Sequence, residues 1–550
     1  MDRDKYYSMM IVFIASFFFL VPGETFHVDH VLTECSLTRY PQKCSQTLLS
    51  SFNLKQQQLP ISSDNEVDQR RANMLYSLVQ KAKEQTLAST QHISKNLYYP
   101  LGVGETKSSV LDYCDELMQM CAKRLDQSIH ALKTSPKKSK SDIQTWLSGV
   151  LTFQEACKDS LTPSDSTTSS EIFDKIDHLS MLTSNALAFA NRISGSYYVR
   201  AKDVKSTTTA ERKLASAFPE WVSMDDRRLL EDGSVNTFKP HVVVAQDGSG
   251  DCSTILEGLK MVGTSQKGGG KKVIYIKAGV YKQKLKISED NVMLVGEGKG
   301  STVITQSSSV GGGTSMPNTA TVVVTGDGFF AKNIGFMNSA GADNHQAIAL
   351  RISSDHAVLY NCMIKGHQDT LYAFAHRQFY SGCDIYGSID YIFGNAAAVF
   401  QGCNLLFQKP HHKGINTVMA NGRSDPGQNT GFSVQGCKIG AGPELKPIKH
   451  SVKSYLGRPW KKYSRAIVME STIDDSIQST GWSPWSGGFA LKTLYFAEYS
   501  NTGSGASTSN RVKWPGFHIL GTSEASKFTV SNFIGGSSWI PAGVGVKSGL

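Results

Sequence analysis

The sequence predicts a chain in two unlike parts, an all-α four-helix bundle followed by an all-β domain built as a right-handed parallel β-helix. Three observations carry that expectation. The segments Gln346-Ala-Ile-Ala-Leu350, Gly366-His-Gln-Asp-Thr-Leu371 and Asp390-Tyr-Ile-Phe-Gly394 recur every 21 to 22 residues, about the length of one coil in a solenoid. A second pattern, Asn361-Cys-Met-Ile364, Gly382-Cys-Asp-Ile385, Gly402-Cys-Asn-Leu405 and Gly436-Cys-Lys-Ile439, repeats with its first three copies 21 and 20 residues apart. Before them, apolar residues between positions 30 and 200 recur at helical steps.

Taken in order, Arg3 and Lys5 precede an apolar run from Met9 to Val21 that is too short to span a bilayer comfortably. Residues 1–23 therefore read as a secretory signal peptide rather than a short signal anchor, and no second apolar run follows that would hold the chain in a membrane. Residues 24–200 are helical in pattern. Val110, Leu111, Cys114, Leu117, Met118, Cys121, Leu125, Ile129 and Leu132 fall at three- and four-residue steps, as do Leu179, Leu182, Ala186, Phe189 and Ile193. With the stretches around 70–97 and 142–158 these make four amphipathic helices whose stripes read as bundle core. A polar linker, residues 201–230, carries the dibasic pair Arg227-Arg228, where a processing protease would leave a mature half beginning near Leu229. From 231 to 550, β-branched runs such as Val273-Ile-Tyr-Ile276 and Val322-Val-Val324 lie between Gly-rich turns.

The coil period places chemistry as well as strands. Equivalent positions in neighbouring parallel strands lie roughly 5 Å apart, so Asp369 and Asp390, 21 residues apart, become neighbours. Two carboxylates at that range resist ionising together: one stays protonated as a general acid while the other, held by a cation, stays an anionic nucleophile. Leu456-Gly-Arg-Pro-Trp460 supplies the cation, Arg458, and an indole, Trp460, suited to stacking on a sugar ring. Gln346 and Gln368 add neutral amide donors for an oxyanion. The bland reading, a polar ladder that only satisfies buried groups, leaves Arg458 and Trp460 without a purpose. No Cys/His spacing suits a metal, and adjacent His411 and His412 would face opposite sides of a strand.

These segments, in this order and spacing, resemble plant pectin methylesterases (pectinesterases) made with an inhibitor-like pro-region, and the likeness runs from about Lys239 to the C-terminus. The resemblance implies that the β-helix is a catalytic domain in which Asp390 attacks the methyl ester of a galacturonate. It implies that Gln346 and Gln368 stabilise the transition state, that Asp369 is proton donor and then base, and that Arg458 orients Asp390. Trp460, Thr314, Tyr391 and Phe393 would line the substrate cleft, and no metal or organic cofactor would be required. It also implies disulfides Cys35–Cys44 and Cys114–Cys157 in an inhibitor-like bundle and Cys383–Cys403 in the β-helix, leaving Cys121, Cys252, Cys362 and Cys437 unpaired. The chain departs from the family pattern at Gln283, which ends an imperfect fifth motif, and at Met316, His367, Tyr391 and Phe374, which would line or border the cleft and bear on substrate preference and pH optimum more than on reaction type.

Charge points to the partner. The residues after Arg228 hold 30 Lys+Arg and 21 Asp+Glu, hence +9 of the net +10 of the whole chain, a balance suited to de-esterified galacturonan, a polyanion. Secretion to the cell wall, a monomer acting on methyl-esterified homogalacturonan, and restraint by its own pro-region or another protein inhibitor complete the expectation. The sequence carries no nucleic-acid-binding motif and no Asn-x-Ser/Thr sequon. Two other readings are a lyase or polygalacturonase on the same polymer, which would need a Ca²⁺ cluster or an inverting carboxylate set that is not visible, and a pectin-binding or inhibitory protein whose esterase site is masked or impaired.

Overall fold

The computed structural model describes residues 22–52, 66–98, 105–161, 167–194, 240–265, 270–411 and 414–550. Residues 1–21 of the expected signal peptide, the Arg227-Arg228 pair and His412 lie outside the described residues.

The N-terminal part is helical: α1 (Pro22–Ser36), α2 (Pro41–Phe52), α3 (Glu66–Tyr98), α4 (Glu105–Thr134), α5 (Lys140–Ser160) and α6 (Thr167–Arg192). Helices α3 to α6 close into a four-membered ring, α4 and α6 each lying between α3 and α5. The helical stripe of α4, with Cys114, Leu117, Met118, Cys121 and Leu125, is wholly buried against Leu147 and Val150 of α5 and Leu182 and Phe189 of α6. Disulfide Cys35–Cys44 ties α1 to α2, and Cys114–Cys157 ties α4 to α5. The short α1–α2 hairpin carries no periodic signal long enough to read from sequence.

The C-terminal part is a parallel β-helix with three sheets, all of whose strand pairs are parallel. One sheet has eleven strands, from Val242–Val244 to Phe517–Ile519, and a second has eight, from Gly279–Lys282 to Thr472–Ile473. The third concerns function: β1 (Leu285–Ile287), β2 (Val322–Val324), β3 (Leu350–Ile352), β4 (Leu371–Ala373), β5 (Ile392–Gly394), β6 (Asn416–Asn421) and β7 (Ser454–Pro459), stacked in chain order. Ile274, Leu294, Ile304, Leu359, Ile364, Ile385, Phe400 and Leu405 fill the interior. The Asn/Gly-Cys repeat has a simple cause. Asn361, Gly382, Gly402 and Gly436 all adopt left-handed backbone, φ 50° to 62°, which glycine and asparagine tolerate best, and the bend aims the following cysteine inward.

Those cysteines form a buried ladder, Cys362, Cys383, Cys403 and Cys437, of separate thiols. The expected Cys383–Cys403 bridge is therefore absent, although the two sit side by side on successive coils. Stacked positions of an in-register parallel sheet share one side-chain direction, so each thiol points at the backbone of the preceding coil. Cys383 Sγ donates to the Leu359 carbonyl at 3.4 Å and Cys403 Sγ to that of Tyr380 at 3.5 Å. Cys252, also a free thiol, is only partly buried.

The bundle lies on the outer face of the β1–β7 sheet. Phe153 of α5 meets the Phe374 ring edge-on at 5.3 Å, and Ile348, Tyr372, Phe374, Phe393 and Ala420 join the apolar cluster of the bundle. Ion pairs cross this contact: Arg124 with Asp327 at 2.6 Å, Asp142 with Arg377 at 2.7 Å, Arg39 with Asp425 at 2.8 Å and Asp159 with Lys461 at 2.6 Å. At its centre His376 inserts over Gly149, where a Cβ would come within 2.2 Å of the imidazole Nε2.

Candidate active site

Register aligns the outward positions Lys286, Val323, Arg351, Tyr372, Phe393, Ala420 and Arg458 in one column across β1–β7. Gln346, Gln368, Asp369 and Asp390 lie along the edge where chain enters β3, β4 and β5, while Arg458 stands within β7 and Trp460 just past its end. Leu371 pairs with Ile392 and Ile392 with Met419; two residues back, the same register puts Asp369 beside Asp390 and Asp390 beside Thr417. Both aspartates adopt left-handed backbone, φ 60° and 50°, a conformation that few non-glycine residues take and that here turns each carboxylate out of the strand alternation.

Arg458 grips Asp390 with two nitrogens, Nε to Oδ1 at 2.9 Å and Nη2 to Oδ2 at 2.6 Å. This is the bidentate, charge-assisted geometry that fixes a carboxylate most firmly. Thr417 completes the grip: its hydroxyl donates to Asp390 Oδ1 at 2.6 Å and accepts from the Asp390 N–H at 2.7 Å. The Arg458 guanidinium in turn lies 4.4 Å from the centre of the Trp485 ring, a cation–π contact. Asp369 has no such support. Burial and the adjacent Asp390 push its carboxyl well above the ordinary carboxylate range, against an opposing pull from Arg458. Gln346 and Gln368 are half-buried beside the pair, and the Gln368 carbonyl accepts from Ala347 N at 3.2 Å, joining the two glutamine segments.

The expected cleft residues divide. Trp460 is half-buried with its ring edge-on to Phe393 at 6.0 Å, and Phe393 stacks on Tyr372 at 4.2 Å, so these rings lie together on the outer face. Thr314 is half-buried in the loop before the short helix Met316–Thr319, its N–H bonded to the Ser309 carbonyl at 3.1 Å. Tyr391 is a correction: it lies inside the β-helix, fully buried and edge-on to Phe407 at 5.7 Å. The left-handed backbone at Asp390 breaks the alternation, so Tyr391, which an unbroken strand would set on the outward face with Phe393, turns inward beside Ile392 and cannot line the cleft. Of the departures, Met316 and Phe374 pack against the bundle, His367 is half-buried, with burial lowering its imidazole, and Gln283 accepts from Leu256 N at 3.2 Å, at the start of helix Ile255–Ser265.

Sequence reasoning missed Thr417 and Trp485. Thr417 follows Asp390 by 27 residues because the coil between them is longer than its neighbours, which hides it from a 21-residue period. Trp485 sits in the Gly481-Trp-Ser-Pro-Trp485 loop, where its only signal is the aromatic itself.

Residues 241–537 match the family model described as Pectinesterase, and residues 29–189 match that described as Plant invertase/pectin methylesterase inhibitor. The chain is 42% identical over 526 residues to "Probable pectinesterase/pectinesterase inhibitor 17" of Arabidopsis thaliana, covering 94% of each. It is 44% identical to "Pectinesterase 2" of Citrus sinensis over 81% of this chain and 83% of that one. Among solved structures it resembles the pectin methylesterase from carrot, with 46% identity and a TM-score of 0.56, 58% of this chain covering 100% of the carrot chain. One aspartate gripped by arginine beside a second, unsupported aspartate, on a parallel β-helix behind an inhibitor-type bundle, thus agrees with the sequence matches, and the chain belongs to the pectinesterase family, carboxylic ester hydrolases that de-esterify pectin.

Proposed function

We propose that this chain removes methyl groups from cell-wall homogalacturonan with Asp390 as nucleophile and Asp369 as acid and base. The observation that carries the assignment is the contrast between the two carboxylates: Asp390 is held by Arg458 and Thr417, while Asp369 is driven toward its neutral form. In the first step an Asp390 oxygen attacks the ester carbonyl carbon, and the side-chain amides of Gln346 and Gln368 donate to the tetrahedral oxyanion. The C–OCH₃ bond then breaks, the proton of Asp369 passes to the departing oxygen, and methanol leaves behind an anhydride joining Asp390 to the uronate. Asp369, now anionic, takes a proton from water as that water attacks the anhydride. The uronate leaves as a free carboxylic acid that ionises, and Asp390 is restored.

Trp460 and Phe393 belong in this reading to the wall against which the sugar chain lies, and Thr314 to its edge. Residues 24–200 act as a pro-region that restrains the enzyme it precedes; the support is their position over Tyr372, Phe374 and Phe393, beside the catalytic pair. A signal peptide over residues 1–23, secretion to the cell wall, cleavage at Arg227-Arg228 within the 201–230 linker, and action of residues 231–550 as a monomer follow from the sequence motifs. The test is methanol release from highly methyl-esterified pectin by residues 231–550, with Asp390→Ala as control. Release that disappears in the variant supports the assignment. Equal release by both overturns it, and folded wild type that binds pectin without releasing methanol favours a binding or impaired protein.

A further inference from the structure

The far end of the face column is basic and has no part in the chemistry above. Arg351 lies two strands from Phe393 across the sheet, which with the run of residues back to Asp390 places it on the order of 15 Å from the nucleophile. Its side chain is only 2% exposed. One Nη donates to the Pro317 carbonyl at 3.3 Å and the other to Glu116 of α4, while Nε is buried with no partner. Lys286, aligned with it through Val323, donates to the second Glu116 oxygen at 2.9 Å. Lys284 stands nearby, bonded to the Asn318 carbonyl at 2.6 Å. Together they line a cavity of about 230 Å³ in which three cations face one carboxylate, and that carboxylate belongs to the bundle.

A buried arginine with an unsatisfied donor is costly unless an anion completes it. The β-helix puts no acid among the residues lining this cavity, so with the bundle away all three cations face an empty site. We infer that Arg351 and Lys286 form a subsite for the free carboxylate of an already de-esterified galacturonate unit, and that Glu116 occupies it in the intact chain as a stand-in for that carboxylate. The subsite rests on the esterase reading for its ligand. It selects polymer whose ester lies several sugar rings from a free acid, which is the product of earlier turnover, because a methyl ester offers no charge to Arg351 and Lys286. The stacked rings of Tyr372 and Phe393, 4.2 Å apart, bridge the two sites as a platform for intervening sugars.

The β-helix is a self-contained fold for this test: its interior cluster draws only on residues 242–496, and a carrot enzyme is matched along its whole length by 58% of this chain. Residues 231–550 are compared with their Arg351→Gln and Lys286→Gln variants for binding to polygalacturonate and to fully methyl-esterified pectin, and for KM and kcat of methanol release on partly de-esterified pectin. Each variant is expected to weaken polygalacturonate binding about 10- to 150-fold, the loss of one charge-assisted hydrogen bond. KM rises with kcat unchanged, and affinity for fully esterified pectin holds. Lys286 is half-exposed, so its variant decides the matter if Arg351→Gln misfolds. Unchanged polygalacturonate affinity, or equal losses on both polymers, overturns the subsite. Charge-selective loss of binding with no methanol released by any form, wild type included, supports the subsite and overturns the esterase reading instead.

Discussion

Gly149 is where the bundle can be lifted from the enzyme without unfolding it. A Cβ there would stand 2.2 Å from His376 Nε2 and 2.8 Å from Cδ2. The imidazole has nowhere to move: Nδ1 bonds to the Ser353 carbonyl at 2.7 Å, the Phe153 ring lies 5.5 Å away and the Arg124 guanidinium 3.5 Å away. Overpacking of this kind costs about 1–3 kcal/mol. Because Gly149 lies within α5, the same change favours the helix itself by about 1 kcal/mol, so Gly149→Ala loosens the contact while strengthening the bundle. The open fraction of the full chain should rise about 5- to 150-fold. Hydrogen exchange of α5 and of residues 372–376 reads the opening, and methanol release by the uncleaved chain reads the freed site. Unchanged exchange and unchanged release would refute the seating described here; faster exchange throughout α3–α6 would mean that the bundle had unfolded, against the helix argument.

Asp369→Asn should abolish turnover yet raise the melting temperature near neutral pH. The folded protein holds the Asp369 proton above the ordinary pKa of 3.8, so wild-type stability falls as pH rises through that value toward the raised one. The gain in the variant should therefore vanish below about pH 3.8, and a pH-independent difference in melting temperature would contradict it. Thr417→Val removes a donor to Asp390 and should lower kcat with little change in KM, while Thr417→Ser restores kcat; a loss confined to KM would make Thr417 a substrate contact instead. Alkylation of the denatured, unreduced protein should label six thiols, Cys121, Cys252, Cys362, Cys383, Cys403 and Cys437. Four labelled thiols with Cys383 and Cys403 protected would restore the bridge that the structure lacks.

Much of this molecule is periodic, and what is periodic was legible. One turn of a β-helix reuses the same turn chemistry at the same interval, so Gln368, Asp369 and Asp390 declare their adjacency by spacing alone. Four stripes at helical steps likewise declare a bundle. A Gly/Pro-punctuated segment holding a fixed cation and an indole added Arg458 and Trp460, whose place no period reveals. What the chain determined by itself was therefore the two-part architecture, the Asp369–Asp390 pair and the charge surplus of the β-helix half. The rest needed three dimensions. A coil of irregular length hid Thr417, and the left-handed turn at Asp390, which breaks strand alternation, carried Tyr391 into the interior. Parallel side-chain directions kept Cys383 and Cys403 apart as thiols, and only the packing of two folded units set Glu116 against Arg351 and Gly149 against His376. Sequence spacing encodes contacts within a repeat because the repeat fixes the geometry; contacts between a bundle and a β-helix have no common period, and surface complementarity alone decides them.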